Sequence, residues 1–137
     1  GVGYSKKNYD YKVSGTPQQT AESGTAYATY AYGPVTVGYQ VGGVGNSGNG
    51  GTSYKNTYMG ISYAISDDLS VAYNNTVSRK TAGASTFQQL EQEWDNISLA
   101  YSMGGMTIGV SDSDCSNCSY TSGQSQDETI LNLTVAF

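Results

Sequence analysis

Asp127-Glu128-Thr129-Ile130-Leu131-Asn132-Leu133-Thr134-Val135-Ala136-Phe137 is the stretch that decides how this chain is read. Side chains alternate across an extended strand. Phe137, Val135, Leu133, Leu131 and Thr129 therefore share one face, and Ala136, Thr134, Asn132, Ile130 and Glu128 share the other. The first face is almost wholly apolar; the second is mostly small or polar. A strand covering a soluble core shows the same alternation, so the decision passes to the neighbouring segments.

Upstream, three stretches repeat the pattern around a tight turn. Thr29-Tyr-Ala-Tyr-Gly-Pro-Val-Thr-Val-Gly-Tyr39 turns at Gly33-Pro34, the stretch from Ile61 to Tyr73 turns at Asp67-Asp68, and that from Ile97 to Val110 turns at Gly104-Gly105. Turn residues between alternating runs are hairpin signals. Parity carries through each hairpin. Val35, Val37, Tyr39 and Val41 oppose Thr36, Gly38, Gln40 and Gly42, while Met59, Ile61 and Tyr63 oppose Gly60, Ser62 and Ala64. Leu69, Val71, Tyr73 and Val77 oppose Ser70, Ala72, Asn74 and Thr76. Ile97, Leu99 and Tyr101 oppose Ser98, Ala100 and Ser102, and Met106, Ile108 and Val110 oppose Thr107, Gly109 and Ser111. The run from Tyr27 to Tyr32 is the weakest, because its apolar side includes Ala26 and Ala28. Polar stretches at 6–23, 42–53, 81–92 and 114–126 separate the hairpins. The expected fold is all-β, antiparallel and up-and-down, with strands of about ten residues. Seven strands are clear, and Val2 and Tyr4 suggest an eighth.

Composition narrows the setting. The chain has 137 residues, the size of one domain or of a portion of a larger one. Only 12% are charged and 37% hydrophobic, with 18 Gly and 13 Tyr. The charged share is about half that of an ordinary soluble domain. No apolar run approaches the ~18 to 20 residues a membrane helix needs. A net charge of −5 argues against a nucleic-acid partner, which requires a basic face. The absence of histidine removes the commonest general base and neutral metal ligand. No signal peptide is visible, so any export signal has been removed or lies outside these residues.

Charge is excluded from a band. None lies between Ala26 and Gly50, Asn56 and Ser66, Asn96 and Ser111, or Thr129 and Phe137. A bilayer imposes that exclusion, since a charge on a lipid-facing strand near the midplane costs about 2 to 4 kcal/mol. A soluble sheet also carries Lys and Glu on its outer face; here the second face carries Ser, Thr, Asn and Gly. Tight turns and long connections alternate without exception, as in outer-membrane barrels with short periplasmic turns and long external loops. Tyr30, Tyr32, Tyr63, Tyr73 and Tyr101 lie close to the tight turns, where an aromatic girdle would sit.

On these residues the chain resembles the bacterial outer-membrane porins, most closely those of alphaproteobacteria. The resemblance rests on Tyr-Ala-Tyr-Gly-Pro-Val-Thr-Val-Gly-Tyr-Gln (30–40), Tyr-Met-Gly-Ile-Ser-Tyr-Ala-Ile-Ser-Asp-Asp-Leu-Ser-Val-Ala-Tyr (58–73) and Ser-Leu-Ala-Tyr-Ser-Met-Gly-Gly-Met-Thr-Ile (98–108). The terminal strand completes it, so it covers nearly everything from Ala26 onward. It implies a sixteen-stranded barrel, assembled as a homotrimer in the outer-membrane lipid bilayer, through which small hydrophilic solutes diffuse without a cofactor or catalysis. It also implies that Phe137, Val135 and Leu133 form the signal read by the outer-membrane assembly machinery. The chain departs from the pattern in length, and residues 1–137 read as a single domain forming the C-terminal portion of a larger porin. An eight-stranded barrel serving as an anchor or adhesin is the alternative, and a secreted β-sandwich adhesin is a third. Inward-facing Gly38, Gly60 and Gly109 argue against the small barrel, whose interior needs larger residues to fill it.

Candidate sites are few. Lys55, Arg79 and Lys80 are the pore-mouth charge candidates, Lys80 having the parity of the polar face. Cys115-Ser-Asn-Cys118 lacks the further ligands zinc needs, and a local loop disulfide is expected in an oxidising exterior. Asp112, Asp114, Asp127 and Glu128 are weak calcium candidates, offering the oxygen atoms hard cations take. Glu91, Glu93 and Asp95 read as a rim cluster. Trp94 has the parity of the polar face and is expected to mark a bend in its strand.

Overall fold

A computed structural model of the chain describes residues 1–9, 19–47, 51–82 and 88–136. Eight strands run in sequence order: β1 (Val2–Tyr9), β2 (Gln19–Tyr32), β3 (Val35–Ser47), β4 (Thr52–Ala64), β5 (Leu69–Ala82), β6 (Gln88–Met103), β7 (Met106–Ser116) and β8 (Ser125–Val135). Each pairs antiparallel with the next, giving one up-and-down sheet with β1 and β8 at its edges. Among the described residues there is no α-helix, only a short 3₁₀ turn at Cys118–Tyr120. The sheet is not closed by pairing of its two edge strands.

Turn chemistry sets the hairpins. Gly33 takes φ 55° ahead of Pro34, the arrangement of a II′ turn. Gly104 and Gly105 take φ 57° and 83°, positive at both central positions as a I′ turn requires. At Asp67-Asp68 a side chain substitutes for glycine: Ser66 Oγ accepts from the amides of Asp68 (3.3 Å) and Leu69 (3.2 Å). The amide of Ile65 closes that turn on the carbonyl of Leu69 at 2.8 Å.

From these turns every ladder advances without a skipped residue. The parity set at one turn therefore propagates across the sheet. One row of opposed residues reads Tyr32, Val35, Tyr63, Val71, Leu99, Val110 and Leu131. The row on the other face beside it reads Ala31, Thr36, Ser62, Ala72, Ser98, Ser111 and Ile130. The first face is apolar and aromatic across seven strands; the second is small and polar.

Among the described residues no second sheet or helix layer covers either face. Among the described residues only Cys115, Cys118 and Ser78 are buried, while Leu131 and Leu133 stay 74% and 62% exposed. A contiguous exposed apolar surface on this scale marks a meeting with lipid or protein. Tyr32, Tyr63 and Tyr101 stand on it near the tight turns.

The strands run further than their apolar patterning suggested. The expected polar stretches at 6–23, 42–53, 81–92 and 114–126 shrink, because β1 continues to Tyr9, β3 to Ser47, β5 to Ala82 and β7 to Ser116. Ladder hydrogen bonds need only backbone, so Ser, Thr, Asn and Gln extend strands beyond the last apolar side chain. Trp94 marks no bend: it lies within unbroken pairings to Thr76 on one side and Cys115 on the other. Leu133 and Val135 lie on the apolar face of β8, and Phe137 falls outside the described residues.

Gly105→Ala forces a side chain into left-handed backbone and is expected to lower stability by about 1–2 kcal/mol. Gly45→Ala, whose added methyl meets nothing within 4 Å, should stay within about 0.5 kcal/mol of wild type. Urea titration of both variants measures the difference.

Candidate functional site

The polar face is not uniform along the strands. Near the tight turns it is lined by Ser, Ala and Thr. Toward the opposite end it carries Tyr54 and Asn56 of β4, Ser78 and Lys80 of β5, and Gln92 and Trp94 of β6. Strand alternation fixes this set: Tyr54 is opposite Lys80, Asn56 opposite Ser78, and Ser78 opposite Gln92. Below them Tyr27, Gln40, Tyr58, Asn74 and Thr76 border a shallow hollow of about 420 Å³.

The β7–β8 connection, residues 117–124, folds onto this part of the sheet. Tyr120 reaches back from β7 to β4, roughly 14 Å at ~4.8 Å per strand. Its hydroxyl lies 2.7 Å from that of Ser78, and its ring centroid is 5.8 Å from that of Tyr54. Lys80 Nζ sits 5.5 Å from the centre of the same ring, within cation–π range. The Ser119 amide donates to Gln92 Oε1 at 3.1 Å. Ser78, only 6% exposed, also donates to Asn56 Oδ1, so the buried hydroxyl is satisfied by two partners.

Internal bonds give the turn its shape. Cys115 and Cys118 are joined by a disulfide with their Cα atoms 5.7 Å apart. The Cys118 amide donates to Gln124 O at 3.0 Å, and the Gly123 amide to Asn117 Oδ1 at 3.0 Å. Asn117, Ser119 and Tyr120 all take positive φ, at 52°, 58° and 58°. Such backbone costs a non-glycine residue about 1–2 kcal/mol, so these contacts hold a conformation the bare chain disfavours.

The other candidates separate by face. Lys80 lies on the polar face, whereas Lys55 and Arg79 oppose each other on the apolar face. Arg79 and Lys80 are chain neighbours in one strand and cannot share a face, so Lys80 alone of the three borders the polar surface. Arg79 pairs with Glu91, its partner across β5–β6. Asp112 and Asp114 follow Val110 on the apolar side of β7, Asp112 directly opposite Ile97; Asp127 lies on the same face of β8, and Glu128 points to the other side. Alternation therefore divides the calcium candidates, and among the described residues no group of three acids or cysteines could hold a metal ion. Donors meet several acids there: Asn75 Nδ2 lies 2.7 Å from Glu93 Oε1 and 2.9 Å from Asp95 Oδ1, and Thr129 Oγ1 donates to Asp112 at 2.6 Å.

Tyr54, Ser78, Gln92 and Tyr120 escaped the sequence reading. Parity places the first three on the polar face, but nothing local brings Tyr120 to them. A comparison with known proteins finds no family model, no curated protein and no solved structure that matches the chain.

Ser78→Ala leaves the Tyr120 hydroxyl without its partner and is expected to cost about 1 kcal/mol. It should also speed hydrogen exchange at the Ser119 amide, while Ser62→Ala on the same face should not. Exchange read residue by residue distinguishes the two.

Proposed function

We propose that the chain forms wall of a bacterial outer-membrane porin, a water-filled channel for passive diffusion of small hydrophilic solutes. The observation that carries this reading is the unbroken register, which keeps one face apolar and the other mostly small and polar toward the tight turns from β2 to β8, with no second layer of the sheet among the described residues. A sheet with two exposed faces of opposite character suits two solvents. Lipid takes the Tyr32–Leu131 row, and water takes the Ala31–Ile130 row beside it. The tyrosines near the tight turns match an interfacial girdle, and Asp112, Asp114 and Asp127, past the apolar residues of β7 and β8 on the same face, match the headgroup level at those strands' other end.

The remaining features follow from the resemblance to porins. They are an outer-membrane location, a homotrimer, and recognition of the terminal aromatic strand by the assembly machinery. Lys80 is the charge best placed to act on a solute at the polar surface. Ser, Thr, Asn and Gly supply the rest of the lining, which favours hydrated solutes without binding them tightly.

Purified protein folded in detergent should give stepwise conductance increases in planar bilayers, while protein that folds as a monomer in plain buffer would overturn the reading. The faces are tested separately in lipid vesicles. Leu99→Arg should destabilise the folded protein by about 2 to 4 kcal/mol, and Ser98→Arg by far less, as expected for lipid-facing and water-facing positions.

A further inference from the structure

The turn at 117–124 joins two strand ends, yet it lies over the polar face rather than outside the sheet. Tyr120 carries its contacts across the sheet, touching β4 through Tyr54 and β5 through Ser78. Its ring also stands beside Lys80, whose flexible stem would otherwise let the ammonium sweep a wide volume. Aromatic quadrupole and cation together restrict where that charge is found. The backbone around Tyr120 is held in positive φ by the 115–118 disulfide and by the Ser119–Gln92 bond. Strained backbone that persists only through surrounding contacts points to a functional constraint.

We propose that this turn is an ion-selectivity element of the passage, with Tyr120 as the residue that positions the Lys80 ammonium over the polar face. The inference rests on the channel reading above and adds to it where one fixed positive charge lies and what keeps it there. The solutes it discriminates are small inorganic ions and short charged organic molecules. An ammonium held at one place on the wall attracts anions as they pass, despite the chain's net charge of −5. The disulfide has a defined part: it presents Tyr120 without itself touching a solute, since Cys115 and Cys118 are only 2% and 4% exposed.

The test is the reversal potential of channels in planar bilayers under a potassium chloride gradient. Lys80→Met should shift it toward cation preference. Tyr120→Leu, which leaves Lys80 in place but removes its aromatic partner, should shift it the same way by a smaller amount and raise single-channel conductance. Tyr120→Phe keeps the ring but loses the hydroxyl contact with Ser78, and should retain most of the wild-type potential, which assigns the effect to the ring beside Lys80 and not to that hydrogen bond. Should Tyr120→Leu fail to fold, Gln92→Leu releases the turn from the other side and should give the same direction of shift. Wild-type reversal potentials in both Tyr120→Leu and Gln92→Leu, with a shift in Lys80→Met, would overturn the role of the turn and leave the porin reading standing. Folded wild-type protein that forms no channels overturns both.

Discussion

Backbone register is the constraint on which the rest of this structure depends. In an antiparallel ladder a one-residue slip exchanges the two faces of a strand. Here the ladders run from tight turn to strand end without a bulge, so three short turns determine which of the two faces each side chain occupies. The glycines at those turns act at long range. Gly104 and Gly105 are remote from Trp94 and Asp95, yet their positive φ values set the phase that sends one to each face.

Two exposed faces replace a buried core as the organising principle, and the polar face has its own packing. Gly60 lies opposite Asn74, and a Cβ there would come within 2.7 Å of the Asn74 amide oxygen. Gly109 stands in the same relation to Asn132, with the amide nitrogen 3.3 Å from where a Cβ would be. The missing side chains leave room for amides to lie across the strand, presenting donors and acceptors along the surface. Thr25 and Gln40 form a similar cross-strand contact at 3.2 Å. Small residues here line the face with polar groups, which differs from leaving it empty.

What could be read from the chain alone followed the period-2 pattern. Apolar alternation from Val35 to Val41 or from Ile97 to Met103 reports strand, face and phase together, and the structure shows these elements. The pattern fades where both faces are polar, so it does not show the strand ends at Ser47, Ala82 and Ser116. With β7 extended to Ser116, the same parity places Cys115 beside Ser111 and Ser113 on the polar face. Tyr120 was beyond such reasoning: its position depends on Ser78, Tyr54 and Gln92, distant in sequence, and on backbone that no propensity favours.

Among the described residues no further strand pairs with the outer edges of β1 and β8, and that carries a counting rule. β1 runs away from the tight-turn end and β8 runs toward it, so the two edges point in opposite directions. In lipid, unpaired amides and carbonyls along such an edge must find partners, which a closed barrel provides. Any closure that keeps all neighbours antiparallel can meet these edges directly or add further strands only in pairs. Odd additions are forbidden by the direction of two strands alone, so any all-antiparallel barrel containing this sheet has an even number of staves.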